Sequence, residues 1–396
     1  MIDICEFANC TGCSACLNIC PSNAISMKED QFGFLKYSIN QTICIDCNLC
    51  KKICPNIDDN YSRLKHIPRK VLASYVQSKE LLSTCTSGGL ATCISEYFLN
   101  EFDNSIVYGC QSTSFKAIHQ GVTDISELYK FKGSKYIQSD LSISFKEIKA
   151  NLLNNKKILF IGTPCQVSGL LSFLKKKYDN LYTIDLLCHG VSSSKYLASY
   201  LKSENLNVDI ISNISFRKKG KKETDIRYGT YVYNSSKCIY SKSAPYNKFI
   251  LGFFRGLTIN DSCFHCKYNS IERVGDISLG DFWGVKLSNK SLSKNKGISL
   301  VLVNSENGEH IISKIKNRIH AEEKDINDAL NSNRCLKYNA SKPIDYEKFR
   351  ELYTLKQNNV FNDKIWYKIS INSKLHFYKS YFIIQIKNII KSLVDL

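Results

Sequence analysis

Two runs near the start of the chain repeat one pattern. Residues 10–21 read "CTGCSACLNICP" and residues 44–55 read "CIDCNLCKKICP". Both follow C-x-x-C-x-x-C-x-x-x-C-P. Thiolates are soft ligands, so cysteines this dense point to soft metal chemistry. Zinc is the competing occupant, but zinc ribbons use two separated C-x-x-C pairs rather than four cysteines in one run. Disulfides would need an oxidising compartment. The chain has 18 cysteines and no signal-peptide pattern, so metal is the expected use and the cytoplasm the expected compartment.

The paired runs resemble those of bacterial two-cluster ferredoxins, where the fourth cysteine of each run ligates the other cluster. That resemblance implies one [4Fe–4S] cube on Cys10, Cys13, Cys16 and Cys54, and a second on Cys44, Cys47, Cys50 and Cys20. Pro21 and Pro55 turn the chain away after the fourth cysteines. Between the runs, "AISMKEDQFGFLKYSI" alternates about Gly33 as a small hairpin. Such a module, residues 1–60, is a wire for single electrons with no substrate pocket. The chemistry must lie in the rest of the chain or in another protein.

The body must position whatever the wire feeds. Residues 56–69 are polar and read as a linker, so the module should dock on the body rather than merge with it. "KVLASYV" (70–76) reads as a strand. In "TSGGLATCISEYFLN", Ser87 reads as a helix N-cap, while Gly88 and Gly89 permit close approach of an anion to free N–H groups. An ordinary helix cap is the plainer reading. In "KFKGSKYIQSDL", Lys132, Gly133, Ser134 and Lys135 form either a phosphate-contacting loop or a solvated turn. Residues 156–203 read β-α-β-α, the unit of a parallel sheet. In that reading "TPCQ" and "HGVSSS" are turns. Cys165 then follows one strand and Cys188 ends the next, at the sheet edge where open α/β folds bind ligands. "CFHC" adds Cys263 and Cys266 after the apolar helix "YNKFILGFFRGL". The four thiols form a candidate site. A redox-active or zinc-bound C-x-x-C, with Cys165 and Cys188 as plain buried thiols, is the alternative. "GDISLGDFWGV" reads as a strand and turn with an aromatic plug, and Asp276 and Asp281 have no evident partner.

"GTPCQVSGL", "DLLCHGV", "SCFHC", "GDISLGDFWG", "TSGG" and "GSKYIQSD" together resemble the coenzyme F420-reducing hydrogenase/dehydrogenase beta-subunit family, over roughly residues 70–320. The resemblance implies a core [4Fe–4S] cluster on Cys165, Cys188, Cys263 and Cys266. It also implies FAD at Ser87, Gly88 and Gly89, with the 132–135 loop beside it. His189, next to a ligand, becomes a candidate proton donor or a structural hydrogen-bonding residue. Two positions depart from the family: "TINDSC" lacks an arginine near its cysteine, and Cys85 leads into the Gly-Gly pair. The expected fold is α/β and α+β. A two-cluster module (1–60) precedes a flavin-binding segment (66–148), a core-cluster segment (149–325) with a largely parallel sheet, and a helical extension (326–396).

The formal charge is +18, mostly scattered lysine, with no nucleic-acid motif. It suits steering of an acidic redox protein such as a ferredoxin. No apolar stretch is long enough to span a membrane. "HFYKSYFIIQIKNIIKSLVDL" reads as an amphipathic helix packed on the body, or as a membrane-surface or partner helix. The expected function is electron transfer from ferredoxin-type clusters through the core cluster to FAD and on to a small organic acceptor. That acceptor is deazaflavin-like or a polysaccharide-biosynthesis intermediate. A non-catalytic electron-transfer subunit and a redox-sensing or structural iron–sulfur protein are the alternatives.

Overall fold

A computed structural model of the chain describes residues 3–57, 64–219, 226–244, 246–288, 297–356, 359–362 and 366. The amphipathic C-terminal segment, with Phe382, Ile386, Ile389, Ile390 and Leu393, lies outside them.

Each cysteine run folds the same way. A short helix carries the third cysteine: α1 (Ala15–Ile19) holds Cys16 and α2 (Leu49–Lys52) holds Cys50. Both helices start after a left-handed residue, Ser14 at φ 61° and Asn48 at φ 57°. Two positions earlier, Gly12 (φ 72°) and Asp46 (φ 51°) are left-handed too. Asn, Asp and Gly tolerate this conformation best, and it curls each run around a centre. Strands β1 (Ile25–Glu29) and β2 (Leu35–Ile39) pair antiparallel from Ile25↔Ile39 to Glu29↔Leu35, turning near Gly33 as the sequence indicates.

The hairpin tip is where expectation and structure part. A Cβ on Gly33 would lie 2.3 Å from Lys195 Cβ. Phe32 and Phe34 beside it are buried in one aromatic core with Tyr196, Phe349 and Tyr353. Ser193 Oγ donates to Phe32 O at 2.6 Å. The N-terminal unit therefore merges with the body through its hairpin rather than docking as a separate bead. The expectation of a separately docked module weighed the polar tether and left out the two aromatic residues at the tip; residues 58–63 of that tether lie outside the described residues.

Among the described residues the main sheet of the body has nine strands. β3 (Lys70–Val76) pairs antiparallel with β14 (Ile319–Glu323) and β13 (Ser299–Val303). β4 (Ser105–Thr113), β7 (Lys157–Gly162), β8 (Leu181–Leu186) and β12 (Ile277–Asp281) are parallel neighbours in that order. β5 (Lys116–Val122) and the two-residue β6 (Ser139–Asp140) complete the other edge. Both 66–148 and 149–325 contribute strands to it. As the β-α-β pattern requires, β7 and β8 lie side by side, Ile158↔Leu181 to Gly162↔Asp185. β9 (Asn213–Lys219), β10 (Ile226–Asn234) and β11 (Lys237–Ser243) form a second sheet that is not strand-paired with the first. Helices α3 (Lys79–Thr84) and α4 (Leu90–Glu101) link β3 to β4, and α5 (Ser144–Leu153) leads into β7. α6 (Pro164–Leu174) crosses from β7 to β8, α7 (Ser194–Ser203) leads to the second sheet, and α8 (Lys248–Phe254) leaves it. Among the described residues no helix is long and apolar enough to cross a membrane.

Candidate functional site

Cys10, Cys13, Cys16 and Cys54 line one pocket, together with Cys5 and Tyr37. Desolvation pushes the Cys13 thiol up to about 12 and holds Cys16 well above the usual thiol range, with Cys13 and Cys10 adding charge repulsion. A single zinc would need all its sulfurs about 2.3 Å from one point. Four soft thiol donors around one pocket suit a cubane cluster, which offers four separate irons. In the second set, Cys50 and Cys20 share an apolar cluster with Cys44, while Cys47 is exposed. Burial opposes ionisation of Cys20, but the Ser22 hydroxyl and the Ala24 N–H, 3.2 Å away, outweigh it and lower the thiol.

The core thiols come from three places. The chain does not pause in a turn at "TPCQ": α6 starts at once, and Cys165 lies in its first turn. Thr163 and Gln166 form a capping box and Pro164 fits the first helical position, so the helix starts three residues earlier than the spacing suggests. Cys188 follows β8, and its Sγ lies 3.7 Å from Gly190 O. Cys263 lies in, and Cys266 just after, a 3-10 turn (Asp261–His265) that follows α8. Desolvation pushes Cys165 up to about 11 and Cys263 up to about 12, and raises Cys188 and Cys266; Cys188 also feels charge from Cys263, Cys165 and Cys266. Mutually repelling, partly buried thiols become thiolates when a metal takes the proton's place. This donor set fits an iron–sulfur cluster. A fifth thiol, Cys335, adds charge at Cys188 and feels Cys266. Spacing offered it no partner, because it arrives from about 70 residues beyond "CFHC".

A buried ion pair fixes the two halves of this site. Arg273 Nε donates to Asp185 Oδ1 at 3.2 Å, Nη2 donates to the same oxygen at 2.5 Å, and Nη1 donates to Tyr268 O at 2.8 Å. Asp185 Oδ2 accepts from Gly275 N at 2.8 Å. Asp185 lies near the end of β8, three residues before Cys188, and Arg273 follows Cys266. Asp276 and Asp281 also find partners. Asp276 Oδ2 accepts from Thr183 N and Oγ1, both at 2.8 Å, and Asp281 accepts from Arg217 at 2.8 and 3.2 Å. Phe282 is the buried plug, and Trp283 is 44% exposed.

The N-terminal unit meets the core site directly. A Cβ on Gly169 would lie 2.9 Å from Cys13 Cβ, so Cys13 packs on α6 one turn past Cys165. Gln138 clamps the contact, accepting from Leu35 N at 2.7 Å and donating to Thr11 O at 3.1 Å.

The proposed flavin residues are less open than the sequence suggests. The N-cap of α4 is Gly89, at φ 83°, not Ser87. Ser87 Oγ instead donates to Ile298 O at 3.3 Å. Gly88 N donates to Ser299 Oγ at 3.1 Å, and a Cβ on Gly88 would lie 2.5 Å from Ser74 O. The Gly-Gly pair thus lets α4 press against β3 and β13. Lys132 does approach it, donating to Thr84 Oγ1 at 3.0 Å, and Lys219 Nζ donates to Ser87 O at 3.1 Å. Gly133 (φ 88°) is open, with nothing within 4 Å of its Cβ position. Lys135 Nζ donates to Phe131 O and Lys132 O at 2.8 and 2.9 Å, and desolvation brings it down to about 8. Ser134 reaches the side chain of Tyr136. His189 packs edge-on against Phe253, burial lowers it, and its Nε2 has no partner among the described residues.

Residues 155–329 match the family described as the C terminus of the coenzyme F420 hydrogenase/dehydrogenase beta subunit, and residues 9–56 match the 4Fe-4S dicluster domain. Over residues 155–329 the chain is similar to that beta-subunit family. It is 22% identical over 318 residues to the coenzyme F420-dependent sulfite reductase of Methanocaldococcus jannaschii, covering 78% of this chain and 46% of that protein. The chain therefore spans about half the length of that relative. An uncharacterized protein of the same organism is 21% identical over 342 residues, covering 76% of this chain and 84% of that protein. A chain from the F420-reducing [NiFe] hydrogenase complex of Methanosarcina barkeri superposes with a TM-score of 0.43 at 18% identity, covering 74% of this chain and 94% of that one.

Proposed function

We propose that the chain is an iron–sulfur flavoprotein oxidoreductase that moves electrons between a ferredoxin-like carrier and a small organic acceptor. The observation that carries this reading is the packing of Cys13 on Gly169, one helical turn from Cys165. Three clusters would be held by Cys10, Cys13, Cys16 and Cys54; by Cys20, Cys44, Cys47 and Cys50; and by Cys165, Cys188, Cys263 and Cys266. When bound, the clusters supply one-electron transfer and FAD supplies the conversion to two-electron chemistry. The Arg273–Asp185 pair holds the Cys188 and Cys266 segments together, and Gln138 holds the first run against the body. For FAD, the better-fitting part of the candidate set is the open Gly133 turn with Lys132, beside Ser87 and Lys219. Gly88 and Gly89 shape that wall by packing. His189 offers an unpartnered Nε2 near the Cys188 segment. A deazaflavin or a polysaccharide-biosynthesis intermediate is the proposed acceptor class.

Anaerobically purified protein should hold about twelve iron and twelve sulfide per chain, and release FAD on denaturation. Stoichiometric zinc, or iron near eight, removes the core cluster from this reading. The length of the sulfite reductase relative favours one second reading, a subunit that hands electrons to a separate enzyme. Full iron without flavin would select it.

A further inference from the structure

Lys36 is a cation in an unusual place. It lies on β2, is 2% exposed, and sits where the N-terminal unit meets the core site. Its Nζ donates to Cys10 O at 2.8 Å, to Asn260 Oδ1 at 2.9 Å and to Ala8 O at 3.5 Å. Burial lowers Lys36, but charge from Cys10, Asp30, Asp261 and Cys263 opposes that, and three oxygen acceptors for three N–H groups fit an ammonium. None of the three is charged. The carboxylates nearby are already engaged. Asp261 accepts from Arg350 at 2.7 and 2.6 Å and from Tyr346, and Asp30 accepts from Phe32 N and Phe34 N. A buried charge without a counter-charge is costly. Thiolate-ligated clusters, which carry negative charge, would supply it from both sides.

Asn260 is the other half of the bridge. It is 1% exposed and precedes Cys263 by three residues. Its N–H donates to Val191 O at 3.0 Å, three residues past Cys188, and its own O accepts from Cys263 N at 2.9 Å. The side-chain Oδ1 faces Lys36, while Nδ2 has no partner among the described residues. One residue thus ties the segments of two core thiols to the cation beside Cys10.

We propose that Lys36 and Asn260 form a charge bridge between the cluster held by Cys10 and the cluster held by Cys263, raising the reduction potential of both. The proposal rests on the three-cluster reading above. An added electron is stabilised by a fixed positive charge nearby, and low-dielectric surroundings enlarge the effect. Asn260 Nδ2, still a donor, would hydrogen-bond the core cluster, and such bonds raise cluster potentials as well. Both are positioning residues, since neither ligates.

The test is an EPR-monitored redox titration of the anaerobic full-length chain. Lys36→Met should make both clusters harder to reduce by at least tenfold in the one-electron equilibrium, about 59 mV. Lys36→Arg should restore most of the shift. Asn260→Asp keeps Lys36 but adds an opposing charge and removes the donor, so it should move both potentials the same way. Unmoved potentials at full iron content, or equal shifts in Lys36→Met and Lys36→Arg, overturn the bridge alone. If Lys36→Met fails to hold its iron, Asn260→Asp decides: no shift, or an upward one, overturns it. Wild-type iron near eight overturns the three-cluster reading, and the bridge with it.

Discussion

The two cysteine runs share a ligand pattern and a backbone, yet their leading cysteines meet different surroundings. Gly12 and Asp46, then Ser14 and Asn48, adopt the same left-handed turns. In the first run Cys10, Cys16 and Cys20 are buried, and Cys13 presses on Gly169 of the body. In the second run Cys47 is exposed, and the flanking Ile43 and Ile45 are 46% and 64% exposed. Spacing of cysteines sets the local turn; what the turn meets is set by the residues around it. With the clusters assigned as proposed, the difference gives a symmetric wire two unlike ends, one facing a partner and one facing the core site.

The largest effect should separate those ends by stability. Phe34→Ala empties an aromatic site at the hairpin tip, where the ring is 1% exposed. It should cost about 3–5 kcal/mol. Ile45→Ala, beside the exposed Cys47, should stay within about 0.5 kcal/mol. Denaturant midpoints of the two variants measure the contrast. Equal losses would mean that both ends lean on the body alike, and the comparison would collapse. A body lacking residues 1–65 should then fail to fold cleanly, because it would leave Tyr196, Phe349 and Tyr353 without Phe32 and Phe34.

Gly169→Ala attacks the contact from the other side. The new Cβ would lie 2.9 Å from Cys13 Cβ, and overpacking of this kind costs about 1–3 kcal/mol. Iron content should stay near the parent value, while reduction of the body by an external donor slows. An unchanged rate would show that the Cys13–Gly169 contact is not on the path.

Periodicity made much of this visible. β3, the hairpin, β7, β8 and α8 fall where alternation and apolar spacing put them, because each carries its own local signal. The ion pairs did not. Asp185 and Arg273 are 88 positions apart, and Asp281 and Arg217 are 64 apart, so no spacing rule links them. The glycines of "TSGG" are ambiguous for a related reason. A glycine that lets a helix press on a strand and one that admits a phosphate look alike in sequence, and only Ser74 and Ser299 tell them apart. Cys335 and Lys36 were missed because each acts at a junction built from distant segments.

Acid should weaken the platform of the first run. His119 is buried, its Nε2 lies 3.2 Å from Ile161 O, and desolvation brings it down to about 4. Ile161 belongs to β7, which leads to Cys165 and Gly169. The folded form prefers the neutral ring, so the stability it contributes is full above about 6.5. That stability is lost as pH falls from about 6.5 toward 4. The loss at pH 5 should be about 2 kcal/mol. Thermal melts of the parent and His119→Gln at pH 7 and pH 5 read it out. A parent whose melting drops no further than that of His119→Gln would remove the histidine from the account.

The smallest effect concerns the exposed end and should leave stability alone. Lys51 and Lys52 close α2 beside the second run, both at the surface. If an acidic carrier delivers electrons here, its approach is steered by these charges, and steering is a rate effect that salt removes. Lys51→Glu with Lys52→Glu should slow reduction by an acidic ferredoxin roughly three- to tenfold at low ionic strength. The same change at Lys237, exposed on β11, should do little. Near 1 M salt, where the screening length is about 3 Å, parent and variant rates should converge. Convergence matters more than the size of the drop, because a variant that damaged the cluster would stay slow at every salt concentration. If Lys237→Glu slows the reaction as much as the double change, the exposed run is not the entry face. The difference between the two ends would then be one of burial only.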